Sequence, residues 1–176
     1  DLALHTRLEK QVAFLENHPD IDAVGGNAQW IDKNGNIIRD TIEVVTEPDT
    51  IRMFLLFRNI FNNSEMTFRR CVVERNHLKY QNECFGLEDY LFWIQFSKFA
   101  KISNIPDLVL KKRMSYINET ERMRSEKSEE RKQKYFEFQK YSLLLDRFVL
   151  EHEDEQILQY FFAEEPRICK NETELF

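Results

Sequence analysis

The stretch Gly86-Leu87-Glu88-Asp89-Tyr90-Leu91-Phe92-Trp93-Ile94 decides how this chain is read. Gly86 marks a loop able to adopt backbone angles closed to other residues. Beyond it Leu91 and Ile94, and then Phe92, Phe96 and Phe99, recur at three- and four-residue spacing, the period of a buried helix. Glu88 and Asp89 fall in its first turn, where unpaired N–H groups and the helix macrodipole favour negative charge. A carboxylate in that position is held ionised, aimed, and next to a loop, which suits a general base. Acids in a first helical turn are also ordinary, so the pair alone does not separate catalysis from structure.

Upstream, Leu4, Leu8, Val12 and Leu15 share one helical face, which predicts an amphipathic helix of about four turns ended by His18-Pro19-Asp20. Ile21 to Trp30 reads as a short strand interrupted at Gly25-Gly26. Asn34-Gly35 signals a hairpin turn before a strand from Ile37 to Val45. Glu47-Pro48-Asp49 opens a second helix carrying Ile51, Phe54 and Leu55, with Pro48 well placed in a first turn. Asn59 to Ser64 is loop with Ile60 and Phe61 turned inward, and Glu65 to Val73 reads as a strand, or as a strand running into a short helix at Cys71-Val72-Val73-Glu74. Leu78 to Phe85 is loop. After the acidic helix, Ile102 to Asp107 leads into a strand, Leu108 to Met114, that turns basic at Lys111-Lys112-Arg113.

From Asn118 to Glu130 the chain is heavily charged and reads as a linker. Ser128 caps a long helix to Phe148 with the stripe Tyr135, Phe138, Tyr141, Leu145 and Phe148. A last helix starts near Asp154 with Ile157, Leu158, Phe161 and Phe162 on its apolar face. These helices must bury their stripes on the domain or on a partner.

A chain of 176 residues with 42% hydrophobic and 13% aromatic content is folded and can bury a real core. Its net charge of −6 argues against sequence-independent binding of nucleic acid. No apolar run approaches the ~20 residues that span a bilayer, and no secretory signal is visible. Cys71, Cys84 and Cys169 lack a C-x-x-C spacing, so free, buried thiols in a reducing compartment are expected. His5, His18, His77 and His152 are scattered without metal-ligand spacing, so surface histidines and no metal ligands are read from this chain. The chain has only four glycines, no glycine-rich phosphate loop, and opens directly on Asp1-Leu2, which reads as a piece of something longer.

Five further residues are candidates for binding. Trp93 offers a ring face that can stack on a ligand, although a tryptophan inside an apolar helix is more often core. Trp30 lies near a strand end, and Asn63 sits in a loop where its amide can bond hydroxyls or serve turn chemistry. Lys112 and Arg113, with Lys111, can reach a diphosphate or simply form a solvated strand end.

Taken in order, these pieces resemble the second half of a family-2 glycosyltransferase of the GT-A fold. Asp1-Leu2-Ala3-Leu4-His5-Thr6-Arg7-Leu8-Glu9-Lys10-Gln11 looks like the segment after that family's Asp-x-Asp motif, where Arg-(Leu/Phe)-x-x-Gln is usual. Phe14 to Gly26 is similar to its helix-to-strand passage ending in Val-Gly-Gly. Met66-Thr67-Phe68-Arg69-Arg70 looks like the strand near the acceptor side, and Gly86 to Trp93 resembles the Glu-Asp motif with its downstream Trp.

The resemblance implies an α/β chain: a partial GT-A fold lacking its N-terminal nucleotide-binding half, with residues 1–120 as the acceptor and catalytic-base half and 121–176 as a helical extension. It implies Asp89 as the base that deprotonates an acceptor hydroxyl, with inversion at the sugar carbon, and Glu88 as an orienting neighbour. A nucleotide-sugar donor, a glycan or lipid-linked acceptor, and a divalent metal (Mg or Mn) are expected for the complete enzyme. The metal's main ligand motif is absent from this chain. The expected setting is cell-surface polysaccharide synthesis, in the cytoplasm or at the inner membrane face, and the isolated piece is expected to be inactive. The departures are His5 for the usual Pro, Gln95 for the usual Arg, and Arg113-Met114-Ser115 where many members carry Arg-x-His. The absence of Gln-x-x-Arg-Trp favours single additions over processive synthesis. The competing reading is a non-catalytic interaction module whose aromatic C-terminal helices pair with another chain, or a homodimer formed through surface that a missing half would cover.

Overall fold

Ala23 and Val24 are neighbours, both fully buried, yet they belong to different cores, because successive side chains of a strand face opposite sides of its sheet. That alternation sets an α/β architecture, which a computed structural model describes over residues 1–39, 44–114 and 128–156. In chain order the elements are β1 (Leu2–Ala3), α1 (Arg7–Asn17), β2 (Ala23–Ile31), β3 (Ile37–Arg39), α2 (Pro48–Leu55), a 3₁₀ turn (Asn63–Glu65), β4 (Thr67–Phe68), α3 (Arg70–Arg75), α4 (Glu88–Ser97), β5 (Ile102–Arg113) and α5 (Ser128–Leu145). The sheet runs β1-β5-β2-β3, with β4 paired to the start of β2. β2 and β5 are parallel, while β1, β3 and β4 join antiparallel.

One cluster gathers Val24, Ala28, Ile105, Val109 and Leu110 with Leu15 and Phe14 of α1. Another packs Ala23 and Ile102 against α2, α4 and α5. Helix α4 is apolar nearly all round: Tyr90, Leu91, Phe92, Trp93, Ile94 and Phe96 are all buried, as expected for a helix covered on several sides. Tyr135 and Phe138 of α5 join the same core. The last carbonyls of α2, left without intrahelical partners, are satisfied from α4 and α5. Leu55 O accepts from the Tyr90 and Ser142 hydroxyls at 3.1 and 3.2 Å, and Phe57 O accepts from the Tyr135 hydroxyl and Gln139 Nε2 at 3.1 and 2.7 Å.

Several expectations need correction. The strand is not interrupted at Gly25-Gly26; β2 runs straight through the pair because other groups occupy the space side chains would take. A Cβ on Gly25 would lie 2.2 Å from Asn104 Oδ1 and 2.8 Å from Met66 Sδ, and one on Gly26 would lie 2.9 Å from both methyls of Val109. Likewise β5 continues through Pro106. Its pairing with β2 steps from Asn104–Gly25 to Leu108–Asn27, so the proline sits in a bulge, where its missing N–H is tolerated. The α1 stripe is displaced: Leu8 and Val12 are 63% and 44% exposed, while Gln11 is fully buried. The helix begins only at Arg7, because Leu2-Ala3 is drawn into β1.

Phe99 lies beyond the end of α4 and is exposed, as are Tyr141 and Phe148 of the C-terminal stripe; Phe136 and Leu143 are buried in their place. Cys71 is exposed, whereas Cys84 is buried as expected. All four histidines lie at the surface. The hairpin at Asp32–Gly35 is present, with Gly35 at φ 92°. The charged linker, the far end of the Ile37–Val45 strand and nearly all of the last helix fall wholly or partly outside the described residues.

Gly25→Ala is expected to destabilise the fold by about 1–3 kcal/mol, the usual cost of overpacking a tight site. Urea titration tests this; an unchanged midpoint would show that Asn104 and Met66 yield freely.

Candidate active site

β2 and β5 end side by side, Trp30 opposite Lys112 and Ile31 opposite Arg113. The carboxyl ends of parallel strands are where open α/β sheets bind ligands, since the loops there diverge and leave a crevice. Three segments converge on this end. Lys112 places its ammonium 4.9 Å from the centre of the Trp30 ring and donates to Asn62 Oδ1 at 2.6 Å. Asn63, the next residue, accepts from the Tyr80 hydroxyl at 2.9 Å. Tyr80 in turn feels the charges of Asp89 and Glu88 in the first turn of α4, and Asp89 feels that of Lys112. The site therefore joins Asp89, Lys112, Trp30, Asn63 and Tyr80 from five separate parts of the chain.

The loop before β4 is held in place from α1. Gln11 Nε2 donates to Glu65 O at 2.7 Å and to Val24 O at 3.1 Å, and its Oε1 accepts from Arg7 Nε and the Thr67 hydroxyl. Arg7 also donates to Met66 O at 3.1 Å. Asn62 and Glu65 form a reciprocal capping box, the Glu65 carboxylate accepting from Asn62 N at 3.0 Å and Asn62 Nδ2 at 2.9 Å. The Arg7 and Gln11 positions of the first motif thus position Asn62 and Asn63.

Two carboxyl groups stand out. Glu65 is buried, and desolvation pushes it up to about 7 against the pull of Asn62, Lys112 and Arg7. Asp89 is half-buried, and desolvation raises it to about 6, with Glu88 adding to the rise. The Tyr90 N–H, donating to Asp89 Oδ1 at 2.8 Å, and the charges of Lys112 and Arg131 oppose it. The expectation that a helix mouth simply holds Asp89 ionised is thus modified: burial outweighs the local donors and sets the group near neutrality. A carboxyl with that pKa is ionised at pH 7 and still basic enough to accept a proton.

The other candidates divide. Trp93 is fully buried, ringed edge-on by Phe61, Phe68, Phe92 and Phe96, so the structure makes it core and leaves no ring face open to a sugar. Its place in the middle of an all-round apolar helix is the reason. Arg113 Nη1 is tied to the carbonyls of Asp32 and Lys33, both at 2.8 Å, which braces the β2–β3 turn. Glu88 is half-buried beside Asp89. Among the described residues no three His, Cys, Asp or Glu side chains cluster closely enough to hold a metal ion. Asp1 is engaged with the Ser64 hydroxyl and the Arg113 N–H.

Sequence reasoning missed Tyr80 and Glu65. Tyr80 sits in a loop without periodicity and reaches the site only by tertiary folding. Glu65 had a usable signal, because Asn62-x-x-Glu65 has capping-box spacing.

No protein-family model matches the chain. It is similar to an uncharacterised glycosyltransferase, MJ1057, of Methanocaldococcus jannaschii, 30% identical over 115 residues, which make up 65% of this chain and 39% of that protein. It is also similar to the amylovoran biosynthesis glycosyltransferase AmsE of Erwinia amylovora, 27% identical over 114 residues, 64% of this chain and 41% of that protein. An uncharacterised glycosyltransferase of Haemophilus influenzae is 30% identical over 115 residues, covering 62% and 40%. The chain is thus related to glycosyltransferases and spans about two fifths of the length of the curated relatives it matches.

Because Glu65 holds its proton more tightly folded than its ordinary value of 4.5 allows, its ionisation opposes folding. Stability is expected to be greatest below pH 4.5 as far as this group is concerned, and to fall by up to about 3 kcal/mol as pH rises through 7. Glu65→Gln should flatten that fall, most visibly above pH 6, where Asp89 is already ionised. Equal slopes for the two proteins in denaturant titrations across this range would remove Glu65 as the cause.

Proposed function

We propose that this chain supplies the acceptor side and the catalytic base of an inverting, family-2, GT-A glycosyltransferase that uses a nucleotide-sugar donor in cell-surface polysaccharide synthesis. What carries the reading is Asp89: a half-buried carboxyl at the mouth of α4, raised to about 6 and within electrostatic reach of Lys112, which lies at the carboxyl ends of two parallel strands. The relationship to named glycosyltransferases, one of them in amylovoran biosynthesis, supports the substrate class.

In this reading Asp89 accepts the proton of an acceptor hydroxyl as that oxygen bonds to the anomeric carbon. The bond from that carbon to the nucleotide diphosphate breaks on the opposite face, its electron pair leaving with the diphosphate. The half-buried setting keeps the acceptor oxygen and the base out of competition with bulk water. Lys112 steadies the Asp89 charge and, with Asn63 and Trp30, shapes the wall the acceptor meets. Glu88 orients the acceptor. A divalent ion serving the diphosphate belongs to this proposal for the complete protein; the described residues do not form its site, and none of the steps given to this chain runs through it. No described helix is long and apolar enough to cross a membrane.

A second reading, as an interaction module, draws on the exposed Leu144, Phe148 and Val149 at and beyond the end of α5. It accounts for that edge but not for a raised carboxyl beside a lysine at the strand ends.

In the complete protein, Asp89→Asn is expected to lower the transfer rate by about 10²–10⁴-fold, the usual contribution of a general base. The fold should hold, since Asn can still accept the Tyr90 N–H. The wild-type rate should rise with pH through an acid limb near 6, and the variant should lack that limb. Transfer assays with radiolabelled donor test both; undiminished turnover in the variant would remove Asp89 from the mechanism.

A further inference from the structure

A groove of about 680 Å³ lies between the loop after α3, the end of α4 and the outer side of α5. Its size falls in the range that holds small ligands. Tyr80 stands at its edge and also at the site described above. The ring stacks on Phe92 at 4.6 Å and 11°, while the residue as a whole remains exposed, and its hydroxyl reaches Asn63 Oδ1. Phe99 and Tyr141 also line the groove, 58% and 37% exposed, although both stand where apolar burial is expected from sequence. Between these rings lie the carboxamides of Gln81, Asn82 and Gln95.

We propose that this groove binds the sugar units of an oligosaccharide acceptor next to the one that receives the transferred residue, so that the acceptor is an already extended glycan. The proposal rests on the reading of Asp89 as the acceptor-side base. Aromatic faces match the apolar C–H faces of sugar rings, as aromatic surfaces do for other amphipathic groups. Each carboxamide offers a donor pair and an acceptor to vicinal hydroxyls. Among the described residues no acidic side chain lines the groove, and the ammonium of Lys98 is given to Leu145 O at 2.8 Å, so the lining suits a polyol better than a cation. Tyr80 makes the groove continuous with the base: a chain lying along it presents its terminal hydroxyl toward Asn63 and Asp89.

Saturation-transfer NMR with millimolar neutral tetrasaccharides of glucose, galactose and N-acetylglucosamine, and a uronate-bearing set, tests this on this 176-residue chain. Signal to internal sugar units from at least one set is expected, reduced at least fivefold in both Phe99→Ala and Tyr141→Ala, whose exposed side chains leave the fold intact. Asp89→Asn should retain the signal. Transfer to no member of either set, or signal unaltered by both groove variants, would overturn the proposal. If Asp89→Asn leaves turnover of the complete protein intact while the groove variants still lose glycan signal, the base assignment fails and the groove stands.

Discussion

The parallel ladder between β2 and β5 is the constraint on which the rest of this structure depends. It requires a stretch of β2 without side chains on either face, because Asn104 and Met66 fill one side of the backbone and Val109 the other. Gly25 and Gly26 meet that requirement. Once the ladder forms, its two carboxyl ends are delivered together, and Trp30, Lys112 and Arg113 arrive at one rim of the sheet. Strand ends that lie apart would leave Lys112 and the Asp89 carboxyl with no common space.

Around that rim the chain uses buried polar groups as positioning devices. Gln11, fully buried, bonds both the β2 backbone and the loop before β4, so α1 locates a loop more than fifty residues away in sequence. The α2 carbonyls at Leu55 and Phe57 play the corresponding part for α4 and α5. Such bonds add only about 0.5–1.5 kcal/mol each, but leaving one unmade in the interior costs more, so they fix geometry more than they add stability. The carboxyls of Glu65, buried, and of Asp89, half-buried, both lose water on folding, and that is why both are held more protonated than in water.

The relatives named as glycosyltransferases match 62–65% of this chain at about 30% identity. Arg7 and Gln11 of the first motif, the glycine pair and the acidic helix mouth each have an identifiable task in the fold. His5 lies exposed before α1 begins.

By itself the sequence determined the α/β class, the hairpin at Asn34-Gly35, the helix opening at Pro48 and the acidic entry to α4, because each rests on local chemistry: turn angles, a fixed φ, unpaired N–H groups. Only the tertiary structure decided which face of α1 is buried, that Trp93 is core, that Arg113 braces a turn and that Tyr80 belongs to the site. Those outcomes depend on which distant groups need partners or fill space, and spacing along a chain carries no record of that. The proton affinity of Asp89 shows the division most clearly. Its place at a helix mouth is written in nine residues, but its value is set by how much water the folded protein removes from it.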